Sequence, residues 1–500
     1  MNLKRLSKNV LFLYVRMLVL LVVMFYTSRV LLSELGVNDY GLYNVIGGFV
    51  LLFSSLRTLF STAIQRFINY EKVSEGLKRI QEIFTIGVYI HLAISLLFII
   101  LVELIGIWFI SEKLVVEPER ISVAYWVLHF SVLSSIALIM TVPYDALIIA
   151  NEKMNFYAYV SVLDGVLRLL VVFFLIYWDC DKLKLYVVLI FIVSLIMRFI
   201  NMAYCKKSFP ECKIVKISDF RLVKEMSSFA AWNFLGNFAY SISHEGVNIL
   251  LNMFGGTSVN AARGIVYQVK NALNTILRNI VVAVDPQGIT LYSEGKKEDF
   301  SYLMSLYTRI VTFIYLMMAI PLFFYTSDVI GFWLGQVPEY AVLFLQWILL
   351  YMFFRALHFP VNLVFKASGK LKSYQLIEFV ILILTLLISY IALCMGFSVT
   401  SVFIIMFVVE IVNYINILWL LKRSSLMDIY LYCKCVLSVV LLASIVVVCE
   451  SLFLLKILGD MNFIIQILIQ LSVIGTTIFM LGFSSEEKAK VYRLLRKKFR

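Results

Sequence analysis

Two predicted membrane-spanning helices between residues 233 and 286 carry far more polar side chains than a lipid bilayer tolerates. On the first helix, polar residues recur in steps of 4, 4, 3, 4 and 4 positions. At this spacing they form one stripe within an arc of about 100°. They are Asn233, Asn237, Ser241, His244, Asn248 and Asn252. On the second helix, the cations Arg263, Lys270 and Arg278 are 7 and 8 positions apart and therefore share one face.

A charge at the centre of a membrane helix costs about 2.5–3.5 kcal/mol on insertion scales. Such a residue is retained where it faces a water-filled cavity or an anionic partner. The stripe and the cations therefore predict that these two helices line the central cavity of a transporter for a negatively charged substrate. Among the asparagines, Asn237 and Asn248 are predicted to hydrogen-bond the polar part of that substrate.

The composition indicates the class of protein that contains these helices. The chain has 500 residues, of which 62% are hydrophobic and 15% are charged, whereas soluble proteins carry about 25% charged residues. Apolar runs of about 20 residues, the length that spans a bilayer, recur from end to end. The sequence thus predicts an all-α polytopic membrane protein with about 14 transmembrane helices.

The predicted loops are short, which leaves no place for a separate catalytic domain and argues against an enzyme. The sequence has no glycine-rich nucleotide loop and no metal-ligand spacing among its seven cysteines. We therefore expect neither a cofactor nor a metal, and an ion gradient of protons or sodium as the energy source.

The net charge of +13 reflects membrane topology rather than nucleic-acid binding. With the N-terminus inside, 28 of the 44 Lys and Arg residues fall in predicted cytoplasmic segments and five in outer loops. This asymmetry follows the positive-inside rule and places both termini in the cytoplasm. The segment after Ser484 is a basic tail suited to the lipid headgroups.

An internal repeat divides the predicted spans into two sets. The pattern P-x6-A-x2-K-x3-Y begins at Pro143 and again at Pro360, 217 positions later, and residues 30–36 resemble residues 249–255, 219 positions later. Six spans separate the copies, so the two halves form a parallel repeat, with a site expected between them. The predicted order is a six-helix bundle at 1–205, a cytoplasmic linker at 206–226, a second six-helix bundle at 227–421, two further transmembrane helices at 422–483 and a basic tail at 484–500.

Further cations in the first bundle complete the predicted substrate site. Arg16 and Arg57 lie in the first two spans, which the repeat makes near-equivalent to the spans that hold Arg263, Lys270 and Arg278. Arginine offers a fixed fork of donors to phosphate oxygens. These five residues are predicted to bind a phosphate or pyrophosphate group.

Other titratable residues in the spans receive separate predictions. Glu245 is the candidate for ion coupling, because a partly desolvated carboxylate carries a proton or binds Na⁺; the alternative is a structural partner for one of the cations. His358 stands singly on an apolar helix and is predicted to be either satisfied by hydrogen bonds or interfacial. Arg309, near a span end, is predicted to extend to the headgroups.

Several short segments resemble a known family. They are NVLFLYVRML from Asn9, YTSR from Tyr26, LGVNDYGLY from Leu35, QRF from Gln65, PYDA from Pro143 and ANEKMN from Ala150. Together with the span pattern, they resemble bacterial polysaccharide repeat-unit flippases (O-antigen, Wzx type). That family belongs to the superfamily shared with the MATE multidrug extruders and the lipid II flippase.

The resemblance implies a two-lobed, MATE-like, alternating-access transporter in the bacterial inner membrane. Its expected substrate is an undecaprenyl-pyrophosphate-linked oligosaccharide for lipopolysaccharide or surface polysaccharide, with membrane lipids and the polysaccharide polymerase machinery as partners and no nucleic acid. Two alternatives share the fold: a multidrug/cation antiporter, which would require an acidic cavity, and a lipid II flippase. A membrane-embedded glycan polymerase, ligase or acyltransferase would require outward catalytic residues on a large outer loop, which the sequence lacks.

Overall fold

The structure of the chain is a computed structural model that describes residues 3–74, 76–369, 371–423, 428–459 and 461–489. Within these ranges, side chains are described except at 3–16, 53–63, 65–66, 69–74, 228–240, 282–283 and 371–373. The regular elements in this part of the chain are all helical, which confirms the predicted fold class. The α-helices are α1 Leu3–Ser74, α2 Leu77–Glu112, α3 Ile121–Ile139, α4 Val142–Ala150, α5 Met154–Ile176, α6 Lys182–Ser208, α7 Phe220–Ser293, α8 Lys297–Phe324, α9 Thr326–Leu334, α10 Ala341–Ser368, α11 Leu371–Cys394, α12 Ser401–Arg423, α13 Ile429–Tyr432, α14 Ser438–Ile457 and α15 Phe463–Gly482.

The two longest helices each contain one glycine in a conformation that other residues rarely adopt. Gly36 in α1 has φ 73° and ψ 171°, and Gly256 in α7 has φ 73° and ψ −173°. This region of backbone space is essentially restricted to glycine. Each long helix is therefore two helices joined at one glycine. The shared conformation pairs Gly36 with Gly256, one position later than the sequence alignment of residues 30–36 with 249–255 suggests.

Eleven helical segments in the described part of the chain are long and apolar enough to cross a membrane. One of them, Met17–Leu52, extends through the break at Gly36, and α7 is not among them. Counting the two halves of α1 and of α7 separately gives fourteen helical segments in the described part of the chain, the number of spans that the sequence predicts. The chain is a multi-pass membrane protein.

The chain forms two compact units. The first consists of residues 1–264 with 389–399, and the second of residues 265–388 with 400–500. In the first unit, α1 packs against α2, α3, α4 and α5, and α3 packs against α6. In the second unit, α10 packs against α8 and α12, and α14 packs against α15. The domain boundaries predicted from the sequence remain predictions.

Candidate substrate and ion sites

The first candidate site lies in the first unit, where the end of the polar stripe meets the next helical segment of α7. The Nη2 atom of Arg263 donates to the carbonyl oxygen of His244 at 2.6 Å and lies 3.6 Å from Oε2 of Glu245. The Arg263 side chain is 5% exposed, whereas that of Glu245 is 19% exposed. The structure therefore places Arg263 against the predicted coupling carboxylate, with the carboxylate as the more accessible partner.

Asn248 is fully buried beside this pair. Its Nδ2 donates to the carbonyl oxygen of Asn44 at 2.9 Å, and its Oδ1 accepts from Nδ2 of Asn260 at 2.8 Å. Both ends of its amide are thus used in contacts between α1 and the two halves of α7. In this conformation Asn248 joins helices, and its predicted contact with substrate requires a different arrangement.

Glycines permit the close approach of the helices that form this site. A Cβ atom on Gly48 would lie 2.2 Å from Nδ2 of Asn248 and 2.5 Å from Oε2 of Glu245. A Cβ atom on Gly264 would lie 2.6 Å from Oδ1 of Asn44. The polar side chains therefore occupy the space that larger residues at these two positions would fill.

The last member of the stripe, Asn252, also makes a structural contact. Its Oδ1 accepts from the backbone nitrogen of Val115 at 2.9 Å, and its Nδ2 donates to the carbonyl oxygen of the same residue at 3.2 Å. These bonds pair the buried amide with both backbone groups of one residue in the segment between α2 and α3. This end of the stripe fixes a loop to a helix.

The second unit holds the other predicted cations of α7. Lys270 is 3% exposed, and its Nζ lies 4.4 Å from the ring centroid of Tyr267 and 5.3 Å from that of Tyr351. Tyrosine faces attract a cation electrostatically. Arg278 is exposed, although its spacing places it on the same helical face. The structure thus buries Lys270 and leaves Arg278 accessible.

Three predicted substrate residues cannot be placed. The side chains of Arg16, Arg57 and Asn237 lie outside the described residues, as does that of Asn233. Their predicted roles stay predictions.

A buried group of charges in the second unit was missed by the sequence reasoning. It consists of Arg355 and His358 on α10, Glu378 on α11 and Glu410 on α12, and we call it the buried charge cluster. Arg355 Nη1 lies 3.2 Å from Oε2 of Glu378 and 3.3 Å from Oε1 of Glu410. Their side chains are 18%, 15% and 6% exposed, so the carboxylates are held largely away from water.

His358 lies at the centre of this cluster, and both of its ring nitrogens contact residues on other helices, as the prediction of a satisfied histidine requires. Its Nδ1 is 3.2 Å from Oε1 of Glu410, and its Nε2 is 2.7 Å from the hydroxyl of Tyr374 and 3.4 Å from Oε1 of Glu378. Asn413 donates to Glu378 at 2.7 Å. The spacings 355/358, 374/378 and 410/413 each place a pair on one helical face, and this signal could have identified the cluster from the sequence.

Two other membrane arginines pair within the chain. Arg168 bonds to Asp164 one turn earlier on α5, at 3.0 Å, as their spacing predicts. The prediction that Arg309 extends to the headgroups is wrong: Arg309 Nη2 lies 2.6 Å from Oε1 of Glu487, and its Nη1 donates to the carbonyl oxygen of Gly482. The segment after α15 supplies a partner that local spacing could not reveal.

The segment LGVNDYGLY, one of those that resemble the flippase family, makes structural contacts in the first unit. Arg120 donates from Nε to Oδ1 of Asp39 and from Nη1 to Oδ2 of Asp181, both at 2.8 Å. Asn38 donates to Glu117 at 2.8 Å. These bonds join the segment after Gly36 to the start of α3 and the start of α6.

Comparisons with known proteins extend the fold assignment. No protein-family model and no curated protein matches the sequence. A solved structure of the lipid II flippase MurJ in an inward closed conformation matches with a TM-score of 0.71 at 15% identity, over 94% of this chain and 98% of that one. An inward-facing multidrug resistance MATE family transporter of the MOP superfamily matches with a TM-score of 0.69 at 12% identity, over 81% of this chain and 95% of that one.

A third match is a MOP superfamily transporter from Pyrococcus furiosus, described as having a binding pocket of reverse polarity that suggests a different function. Its TM-score is 0.59 at 14% identity, over 85% of this chain and 96% of that one. At these identities the similarity concerns the fold. The chain has the all-helical fold that the lipid II flippase MurJ shares with the MATE transporters of the MOP superfamily.

Proposed function

We propose that this protein is a flippase that moves an undecaprenyl-pyrophosphate-linked oligosaccharide across the bacterial inner membrane, for assembly of lipopolysaccharide or another surface polysaccharide. Transport proceeds by alternating access coupled to a proton or sodium gradient. Both termini face the cytoplasm, and the polymerase machinery that uses the product is the expected partner.

The observation that carries the proposal is the burial of cations in a membrane helix. Arg263 and Lys270 on α7 are 4% and 3% exposed, and such residues in membrane proteins mark substrate or ion pathways. In a low-dielectric site, cationic donors bind phosphate oxygens strongly. Arg278, Arg16 and Arg57 extend the proposed set of cations that bind the pyrophosphate.

Glu245 supplies a means of coupling in this proposal. Its carboxylate and a substrate phosphate both bind guanidinium, so they compete for Arg263. When the phosphate occupies Arg263, the released carboxylate binds a proton or Na⁺, since an uncompensated charge in the membrane is costly. The 19% exposure of Glu245 supports ion access to it.

Two alternatives share the fold. A multidrug/cation antiporter needs acidic groups for cationic drugs, and the basic face of α7 argues against it. A lipid II flippase moves a substrate with the same polyprenyl-pyrophosphate chemistry. In its favour, the lipid II flippase structure matches 94% of this chain, whereas the inward-facing MATE transporter matches 81%.

The test is complementation in a bacterial strain that lacks its own repeat-unit flippase, with parallel assays in a strain depleted of its lipid II flippase and in a drug-sensitive strain. The wild type is compared with Arg263→Ala, Lys270→Ala and Arg57→Ala at matched membrane levels. The control is Arg221→Ala, which removes an exposed arginine paired with Glu225 at the start of α7.

We expect the wild type and Arg221→Ala to restore surface polysaccharide. The other three variants should restore at least about tenfold less, the factor that corresponds to the loss of one interaction worth about 1.4 kcal/mol. Activity of all three variants at the wild-type level would overturn the role of the cations. Rescue only of the lipid II-depleted strain would replace the proposed substrate with lipid II. Drug efflux without glycan transport would establish the antiporter.

A further inference from the structure

The buried charge cluster has a charge imbalance of one. Arg355 contributes one positive charge, and Glu378 and Glu410 contribute two negative charges, with His358 in contact with both carboxylates. With a neutral imidazole, the contacting groups therefore carry a net charge of −1. One added proton makes the cluster neutral, and neutrality is favoured where water is excluded.

We propose that the buried charge cluster of Arg355, His358, Glu378 and Glu410 is a binding site for a single proton, separate from Glu245. The proton is shared among groups in mutual contact, so its binding is a property of the cluster rather than of one residue. No covalent bond other than that to the proton forms or breaks.

The hydrogen bonds of His358 accommodate both protonation states. In the neutral tautomer that carries its hydrogen on Nδ1, Nδ1–H donates to Glu410 at 3.2 Å, and Nε2 accepts from the Tyr374 hydroxyl at 2.7 Å. Nη1 of Arg355 also lies 3.3 Å from Nδ1. With a protonated ring, both nitrogens donate, and the Tyr374 oxygen accepts after its hydroxyl hydrogen rotates. The cluster thus gains or loses a proton without leaving a ring nitrogen of His358 unsatisfied.

The position of Arg355 makes a proton a better ligand than a metal cation. Its Nη1 lies within 3.3 Å of an oxygen of each carboxylate, where it would repel a metal ion bound between them. Within the described ranges, no group of three or more His, Cys, Asp or Glu residues has an arrangement suited to a metal ion. A proton needs no coordination shell and fits into the existing hydrogen bonds.

The internal repeat argues that the cluster is more than a requirement of the fold. At the offset of 217 defined by Pro143 and Pro360, the counterparts of Arg355, His358 and Glu378 are Leu138, Thr141 and Ser161. The first half forms the corresponding helices with no charge at these three positions. The charges of the second half therefore point to a specific role.

Lys270 on α7 brings a further positive charge close to the helix that holds Arg355 and His358. Its Nζ lies 5.3 Å from the ring of Tyr351, which precedes Arg355 by one turn of α10. Proton binding at the cluster does not depend on the proposed function. Its use in transport does rest on that function, because Lys270 belongs to the proposed pyrophosphate site.

The experiment is a pH titration of the purified full-length protein in lipid nanodiscs, followed by nuclear magnetic resonance of isotope-labelled histidine. The chain has four histidines, and His358→Gln identifies the resonance of His358 by its loss. Spectra are recorded between about pH 5 and pH 9, the range in which histidine charge ordinarily changes. Glu410→Gln tests the coupling within the cluster.

The matched control is Glu450→Gln, since Glu450 is a membrane carboxylate outside the cluster that accepts from Thr477 at 2.8 Å. We expect the His358 resonance to titrate in the wild type and in Glu450→Gln, and to titrate at a different pH in Glu410→Gln. A His358 resonance that stays constant over the whole range overturns the proposal. An identical titration in wild type and Glu410→Gln overturns the sharing of the proton, and thermal unfolding verifies that each variant is folded.

A transport assay in proteoliposomes with an imposed pH gradient then tests the use of the site. Loss of proton-dependent flux in His358→Gln, with flux retained in Glu450→Gln, supports coupling through the cluster. Wild-type proton dependence in His358→Gln overturns that coupling while leaving the binding site intact. Absence of flux in the wild type, together with a titrating His358, overturns the proposed function and leaves proton binding in place.

Discussion

Arg263 and Glu245 lie on opposite sides of the break at Gly256, and their charged groups approach to 3.6 Å. The guanidinium is the buried partner, and it also bonds to the carbonyl oxygen of His244. The contact joins the two halves of α7 near the predicted substrate face. If the Glu245 carboxylate binds Arg263 in one transport state and separates from it in another, substrate binding at Arg263 is linked to the packing of the two halves of α7.

This contact predicts the outcome of a double-mutant cycle. Glu245→Gln and Arg263→Met each remove one charge and with it the attraction between the two side chains, so each should lower the free energy of unfolding by about 1–3 kcal/mol. The double variant should be less destabilised than the sum by at least about 0.5 kcal/mol. Denaturation of the purified proteins in detergent measures these energies. Strictly additive effects would show that the two side chains do not interact.

The adjacent glycines Gly47 and Gly48 offer a matched pair of substitutions. A Cβ atom on Gly48 would overlap Asn248 and Glu245, whereas one on Gly47 would meet nothing within 4 Å. Gly48→Ala should lower the free energy of unfolding by about 1–3 kcal/mol through overpacking. Gly47→Ala should raise it by up to about 1 kcal/mol through helix propensity. Thermal unfolding and complementation of both variants provide the measurement, and similar effects at the two positions would refute the close contact.

The segment between α6 and α7 is attached to the start of α2, which predicts a pH effect. Arg79 donates to Asp219 at 2.8 Å, and Glu82 accepts from the backbone nitrogen of Asp219 at 2.9 Å. The hydrogen bond from Arg79 holds the pKa of Asp219 below its ordinary value. Because the folded-state pKa is lowered, the contribution to stability is present above about pH 3.9, the unfolded value. It is lost as the pH falls through the folded-state pKa.

Limited proteolysis of residues 209–219 measures this attachment. Asp219→Asn should be cleaved faster than the wild type at neutral pH, and the two should converge in acid, once the wild-type carboxylate is protonated. The control is Glu225→Gln, which removes a carboxylate from an exposed pair outside this attachment. Equal cleavage of wild type and Asp219→Asn at neutral pH would contradict the prediction.

The pair of Arg309 and Glu487 predicts how the C-terminal segment is fixed. Glu487 also accepts from the backbone nitrogen of Ser484 at 2.7 Å, and its own nitrogen donates to the Ser484 hydroxyl, as in a helix capping box. Arg309→Ala leaves a carboxylate of 7% exposure without its cation. This change should lower the free energy of unfolding by about 3–5 kcal/mol.

Denaturation in detergent checks this value, with Lys488→Ala as the control for a nearby half-buried cation that donates to the carbonyl oxygen of Met480. The double change Arg309→Met with Glu487→Leu should recover part of the loss, because apolar replacement of a buried pair is often neutral. A loss below about 1 kcal/mol for Arg309→Ala would indicate that the arginine reaches the lipid headgroups after all.

The polar stripe shows where periodicity succeeds and where it stops. The spacing correctly places Asn248 and Asn252 on an α-helix, but it cannot tell a cavity from a contact between helices, since both favour polar groups on one face. The side-chain amide of Asn248 is hydrogen-bonded to Asn44 and Asn260, and that of Asn252 is hydrogen-bonded to Val115. These partners are distant in sequence or lie across the break at Gly256.

The sequence by itself determined the membrane class and the all-α polytopic fold, because hydropathy and span length are properties of consecutive residues. Only the tertiary structure decided which charges meet: Arg263 with Glu245, Arg309 with Glu487, and His358 with carboxylates from α11 and α12. In the membrane interior a charge is retained where a partner compensates it. That partner is set by the packing of helices far apart in the chain, which no local pattern records.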